Sequence, residues 1–250
     1  IVGFWFSDKI ALAASGARKA TAEEHRYLVN VTEAVAIGAG VPMPGIYVID
    51  SPAPNAFATG RDPEHSSIAV SRGMLQLLDR QELEGVIAHE MAHIRNYDIR
   101  FMSMLVATLG AILVLRDLVG RWTFLGGIGS GSGRRRSSDR GGDGARGQGI
   151  MTLLLIVLLV LAPILATLLR LAVNRRREYL ADATGAYITR NPEGLASALE
   201  KLRAYRGPHL EVSEGVKHMF FVNPTVGQNN IDAFATHPPI EERISRLRRM

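Results

Sequence analysis

No cysteine occurs anywhere in the chain. That excludes disulfides and thiolate-held metals, so a metal ion could be held only by histidine, aspartate or glutamate. Aromatic residues are few, at 6%, and they do not alternate with basic residues in the pattern that stacks single-stranded nucleic acid. A phosphate loop of the GxxxxGK[ST] kind is also missing, and no stretch repeats another. Ile1 to Phe6 lack the basic start and small-residue cleavage site of a signal peptide, and read as the tail of an apolar membrane segment. The net charge is +5, but the arginines gather beside apolar runs and at the C-terminus. That placement points to membrane flanks and argues against nucleic acid as a partner.

What is abundant is apolar surface. Hydrophobic residues make up 47% of the chain and the mean hydropathy is +0.08, values that predict membrane segments. Phe101 to Leu115 carries no charge, and counting on to Val119 gives a stretch long enough to cross a bilayer if Arg116 snorkels to the interface. Ile150 to Leu169 is also free of charge, interrupted only by Pro163, which a membrane helix tolerates as a kink. Such a run, apolar on every side, is too long and too uniform for an ordinary core helix. Between the two lies a connector rich in glycine, serine and arginine, of the composition that stays disordered.

The remaining segments read as a globular α+β unit. Thr21 to Glu24 is a capping-box pattern that predicts a helix with apolar Leu28, Val31, Val35 and Ile37 following at helical spacing, ended by the stretch Gly38 to Pro44. Gly45 to Asp50, Asn55 to Thr59 and Ser67 to Ser71 predict about three short strands. Asp79 as N-cap with Glu82 three residues on opens another helix, whose stripe is Leu83, Val86, Ile87, Met91 and Ile94. A helical pattern runs through 175–184, and Asn191-Pro192 starts an amphipathic helix with Leu195, Leu199 and Leu202 inward and Gly207 as its stop. Thr236 to Pro239 opens a last, basic helix that reaches Met250.

The chemistry gathers on His89-Glu90-Met91-Ala92-His93, an HExxH sequence inside the second of these helices. Histidines four apart lie on one helical face and can grip one metal ion, and Glu90 can reach a water on that metal as general base. A catalytic zinc usually has three protein ligands and one open position. Glu178 is the choice for the third ligand, because Asp182 follows one turn later on the same face, placed to orient a ligand histidine. Asn55, Ala56, Phe57, Ala58 and Thr59 can serve as an ordinary strand or as an edge that takes an extended peptide through backbone hydrogen bonds. His25, His65, His209 and His218 read as surface or packing residues, and Asn96 and Asp98 as supports for the ligand helix or its membrane boundary.

The pair His89 to His93 and Glu178-Tyr-Leu-Ala-Asp182 resembles the HExxH…ExxAD signature of HtpX-type membrane metallopeptidases, relatives of the CAAX prenyl proteases. The likeness extends to Asn55 to Gly60, to the apolar hairpin, and to His237-Pro-Pro-Ile-Glu-Glu-Arg243. It implies one Zn2+ held by His89, His93 and Glu178, Glu90 as base, Asp182 supporting the ligands, His237 stabilising the tetrahedral intermediate, and Arg243 ordering the site. It further implies a multi-pass protein of the inner (plasma) membrane, facing the cytoplasm, that cuts misfolded or membrane polypeptides and has the lipid bilayer as a partner. Set against the family, the chain is expected to start after at least one upstream membrane helix, and its glycine-rich connector is long.

The expected fold is therefore mainly α with a small β-sheet, a zincin-like domain interrupted by a transmembrane hairpin. Its parts are a membrane tail (1–6), a first catalytic part (7–100), a membrane helix (101–119), a connector (120–149), a second membrane helix (150–173) and a second catalytic part (174–250). Because both apolar runs lie between His93 and Glu178, they must leave and return on the same side. A membrane scaffold with a structural zinc is the competing function, but a structural site has no use for Glu90. A metal-ion carrier is weaker still, since neither apolar run holds a histidine or carboxylate before Asp117.

Overall fold

The computed structural model describes residues 7–100, 103–104, 175–208, 221 and 238–250. In chain order the elements are α1 (Ser7–Ala14), β1 (Ala17–Lys19), α2 (Arg26–Ala39), β2 (Gly45–Ile49), β3 (Ala56–Asp62), β4 (His65–Ser71), α3 (Arg72–Leu77) and α4 (Arg80–Arg95). After them come α5 (175–189), α6 (Pro192–Ala204) and α7 (Ile240–Leu247). The expected tail, connector and second membrane helix, the first membrane helix apart from 103–104, and His237 lie outside the described residues. No helix among the described residues is long and apolar enough to cross a membrane. By contacts the chain divides into Ile1–Ala107 with Leu171–Met250, and Thr108–Arg170. The first of these units carries every element named above.

The strands form one four-stranded sheet in the order β1-β2-β4-β3. β3 and β4 are an antiparallel hairpin, β2 lies parallel to β4, and β1 runs antiparallel to β2. The sheet has one strand more than the sequence predicts, because β1 is only Ala-Arg-Lys and carries no strand pattern. Alternation along the hairpin splits its side chains between two layers. Ala56, Ala58, Ile68 and Val70 join the main core with α2, α4 and α6, while Phe57 and Ala69 pack with Ala11 and Leu12 of α1. With both faces covered, β4 reads as a continuous apolar run, Ile68 to Val70. The sequence does not reveal α1 or α3.

The helix that carries HExxH begins as its local chemistry dictates. Asp79 accepts the N–H of Glu82 at 3.0 Å and Glu82 accepts the N–H of Asp79 at 2.8 Å, a complete capping box. Glu82 is buried, and Ser197 and Lys201 of α6 also donate to it, so the start of α4 is tied to α6. Leu83, Val86, Ile87, Met91 and Ile94 are wholly buried, worth about 1.5–3 kcal/mol each. Two glycines set how near the neighbouring helices come. A Cβ on Gly85 would stand 2.7 Å from the Leu195 nitrogen, and one on Gly185 would stand 3.0 Å from the His89 nitrogen. α6 and α5 therefore approach α4 closely, and α5 does so at the first histidine.

The start of α2 and the end of α6 differ from expectation. Thr21 and Glu24 close a turn of their own, and α2 starts five residues after Thr21, at Arg26, without a side-chain cap. Its end is set by Gly40 in the left-handed region (φ 66°). Ile37 is 76% exposed, because two residues past Val35 the helix has turned more than half way round. α6 stops at Ala204, before Gly207, where Tyr205 leaves the helical conformation.

Candidate active site

Three elements deliver the site: α4 brings His89, Glu90 and His93, α5 brings Glu178 and Asp182, and α7 brings Arg243. Among the described residues, His89, His93 and Glu178 are the group whose donor atoms converge, all within 4.8 Å of one another. The two Nε2 atoms stand 3.2 Å apart with the rings edge to face. Glu178 places Oε1 at 3.5 Å from His93 Nε2 and Oε2 at 3.7 Å from His89 Nε2.

Each ring is oriented through its other nitrogen. His89 Nδ1–H donates to Asp182 Oδ1 at 2.9 Å, and His93 Nδ1–H donates to Asp98 Oδ2 at 2.9 Å. Donation from Nδ1 reserves Nε2 for the metal once the imidazole is neutral, and the two Nε2 atoms face the same point. Asp182 is itself fixed by a two-pronged bond from Arg243, Nε to Oδ2 at 2.8 Å and Nη2 to Oδ1 at 2.7 Å. Arg243 Nη1 lies 3.6 Å from Glu178 Oε2, and its guanidinium sits 5.0 Å from the Phe221 ring. Phe221 also meets His89 edge to face at 4.9 Å.

Geometry and charge both suit a divalent cation. Zinc holds imidazole nitrogens and carboxylate oxygens at about 2.0–2.2 Å, which in a tetrahedral shell puts neighbouring donors about 3.3–3.5 Å apart. The 3.2 Å between the two Nε2 atoms is close to that spacing, and the Glu178 carboxylate faces both, with Oε1 3.5 Å from His93 and Oε2 3.7 Å from His89. Among the described residues, four buried carboxylates (Glu90, Asp98, Glu178 and Asp182) stand with two guanidinium groups (Arg177 and Arg243), an excess of carboxylate that suits a cation.

The same imbalance governs protonation. Burial pushes His89 down to about 4, against the pull of Asp182, and Arg243 adds to the lowering. Burial opposes charge on His93 too, but the bonds to Asp98 and Glu178 and the charge of Glu90 outweigh it and raise His93 to about 10. Surroundings that draw a proton to His93 this strongly would equally draw a metal cation in its place. Burial alone would raise Asp182; Arg243 overrides it and holds the carboxyl down at about 2.

The structure brings together five of the residues singled out from sequence (His89, His93, Glu178, Asp182 and Arg243), and Glu90 is buried close enough to act on His93 and Arg243. Asn55 is spent inside the fold, its backbone N–H bonded to Ser71 and its side chain to the N–H of Ala56. Ala56 to Thr59 lie on β3, at the edge of the sheet. Two carbonyls on that edge are already engaged, Ala56 by the N–H of Phe221 and Gly60 by the hydroxyl of Ser103. Sequence reasoning missed Arg177 and Phe221; Asp98, expected as a support for the ligand helix or its membrane boundary, is bonded to His93 itself. A carboxylate five residues beyond the second histidine was the available signal for Asp98.

Comparison with known proteins agrees with this geometry. The profile of peptidase family M48 matches residues 22–250. The chain belongs to that family. The protease HtpX homologue of Caldanaerobacter subterraneus subsp. tengcongensis is 50% identical over 243 residues, covering 97% of this chain and 78% of the relative. The HtpX homologue of Thermoanaerobacter pseudethanolicus is 47% identical over 242 residues, with the same coverage. The crystal structure of S. mikatae Ste24p shares the fold, with a TM-score of 0.53 at 20% identity; the match covers 98% of this chain but 55% of that one. As a member of family M48 with HtpX-type relatives along nearly its whole length, the chain is a metallopeptidase.

Proposed function

We propose that this M48 peptidase is a membrane-bound zinc endopeptidase that cuts misfolded or membrane polypeptides as part of protein quality control. The observation that carries the reading is the convergence of two imidazole nitrogens and one carboxylate beside a buried glutamate. His89, His93 and Glu178 would hold the ion. Two nitrogens and one oxygen leave one position open, which suits a catalytic site better than a closed structural one. When bound, zinc acts as a Lewis acid toward the scissile carbonyl and makes water acidic near neutral pH. Glu90 takes the proton from the attacking water and returns it to the leaving amine. Asp182 and Arg243 keep His89 in register.

His237 donates to the oxyanion that develops on the carbonyl, a bond worth about 3 kcal/mol in comparable sites; this role rests on the family signature. An extended substrate lies along β3. Successive strand residues turn their backbone groups to alternate edges, so Ala58 shares the outer edge with Ala56 and Gly60 and offers the N–H and C=O between the two engaged carbonyls. Backbone pairing of this kind tolerates many side chains, as a quality-control protease requires. The charge-free runs at 101–115 and 150–169 support an inner-membrane location, with the catalytic unit on the cytoplasmic side as in HtpX-type proteases.

The test is cleavage of casein, as an unfolded substrate, by the full chain in detergent micelles. Cleavage should disappear on treatment with a zinc chelator and return when zinc is added. A protein that holds zinc in full yet leaves both casein and a micelle-embedded membrane protein intact would sink the protease reading.

A further inference from the structure

Asp98 is brought to the site by an unusual turn. α4 ends at Arg95, Asn96 caps it, and Tyr97 adopts φ 60°, a left-handed conformation that costs a non-glycine residue about 1–2 kcal/mol. The Tyr97 side chain is half exposed, so its own packing does not account for the strain. After the turn, the next residue lies within reach of the His93 ring. Asp98 is buried, and Oδ2 accepts the His93 ring N–H at 2.9 Å.

The other oxygen of Asp98 is held from a distant part of the chain. Arg177 donates to Oδ1 through both Nε, at 2.8 Å, and Nη2. Arg177 immediately precedes Glu178, the third convergent donor. One guanidinium therefore ties the end of α4 to α5 beside the residue that completes the ligand set. The arrangement repeats, on the second histidine, what Asp182 and Arg243 do for the first. It differs in access: the Arg177 side chain is 23% exposed and that of Arg243 1%.

We propose that Asp98 and Arg177 form a positioning couple that fixes the direction of His93 and the register of Glu178 before metal arrives. The inference rests on the metal-site reading above. Asp98 is the principal member because it touches the ligand; Arg177 acts through Asp98.

The experiment uses the zinc-loaded full chain in micelles and follows zinc release into a chromogenic chelator, together with kcat, KM and the thermal midpoint. Asp98→Asn should release zinc about 10–100-fold faster, the range seen when groups behind metal ligands are altered, with kcat lowered and KM unchanged. Arg177→Gln should fall between Asp98→Asn and wild type, and Arg177→Lys should recover part of the loss. The double variant Asp98→Asn/Arg177→Gln should be no worse than Asp98→Asn alone, since both act along one path. A merely structural role would lower the thermal midpoint and leave zinc release unmoved. If Asp98→Asn holds zinc as wild type does, or the two substitutions add in full, the couple is refuted while the metal site stands. If wild type holds no zinc, the metal-site reading fails and takes this inference with it. Should Asp98→Asn not fold, the order of Arg177→Gln, Arg177→Lys and wild type in zinc release decides the matter.

Discussion

Replacing Glu90 by glutamine is expected to lower kcat by about 10²–10⁴-fold, the range that a lost general base costs, with zinc content unchanged. Glu90 lies on α4 between the two histidines, buried to 3% exposure. Its negative charge helps to raise His93 and is felt by Arg243. It is not one of the three converging donors, so the ion should stay. Glutamine matches its shape and cannot accept the water proton. Steady-state cleavage and zinc content, measured on the same preparation, check this. A variant that cuts at near wild-type kcat would remove Glu90 from the mechanism, and a scaffold that cuts nothing would show no difference at all.

The second large effect is on stability. Arg243→Met should destabilise the fold by about 3–5 kcal/mol, the usual consequence of removing one partner from a buried ion pair. Arg243 is 1% exposed and ranks among the largest fully buried side chains. It satisfies both oxygens of Asp182 and lies against Glu178 and the Phe221 ring. Methionine fills much of the space but strands Asp182 in the interior. Asp182→Asn in the same chain should restore part of the loss, because it removes the stranded charge.

The pH dependence has a definite sign. Burial would raise the Asp182 carboxyl, but Arg243 holds it at about 2, below the usual 3.8. Its contribution to stability is thus fully present above pH 3.8 and is lost as pH falls towards 2. In Arg243→Met only His89 is left to oppose burial, so Asp182 takes up its proton more readily and the gap to wild type should narrow on acidification. Denaturation midpoints at pH 7, pH 4 and pH 2.5 test both points. Equal midpoints at pH 7 would mean that Asp182 needs no such partner.

What could be read from the sequence was local. The start of α4 is written in Asp79 and Glu82, its buried side in five apolar residues at helical spacing, and its ligand pair in a separation of four. Glu178 and Asp182 are legible for the same reason. Arg243 entered only through the family signature. Asp98 could be read only as a support for the ligand helix or its membrane boundary, because its bond to His93 follows the left-handed Tyr97, and tyrosine gives no hint of that conformation. Phe221 escaped because what makes it part of the site is a strand edge at Ala56, a ring at His89 and a guanidinium at Arg243, all distant in sequence. The fourth strand and α1 went unseen because β1 is three residues long and α1 has no capping or periodic signal strong enough to separate it from its flanks.

The central claim is that His89, His93 and Glu178 hold one catalytic zinc. Elemental analysis of the purified full chain, beside Glu178→Gln prepared identically, tests it most directly. The account predicts about one zinc per wild-type chain and little in the variant, since two imidazoles alone fall one donor short of a catalytic site. Equal zinc in the two proteins, or none in wild type, would contradict it.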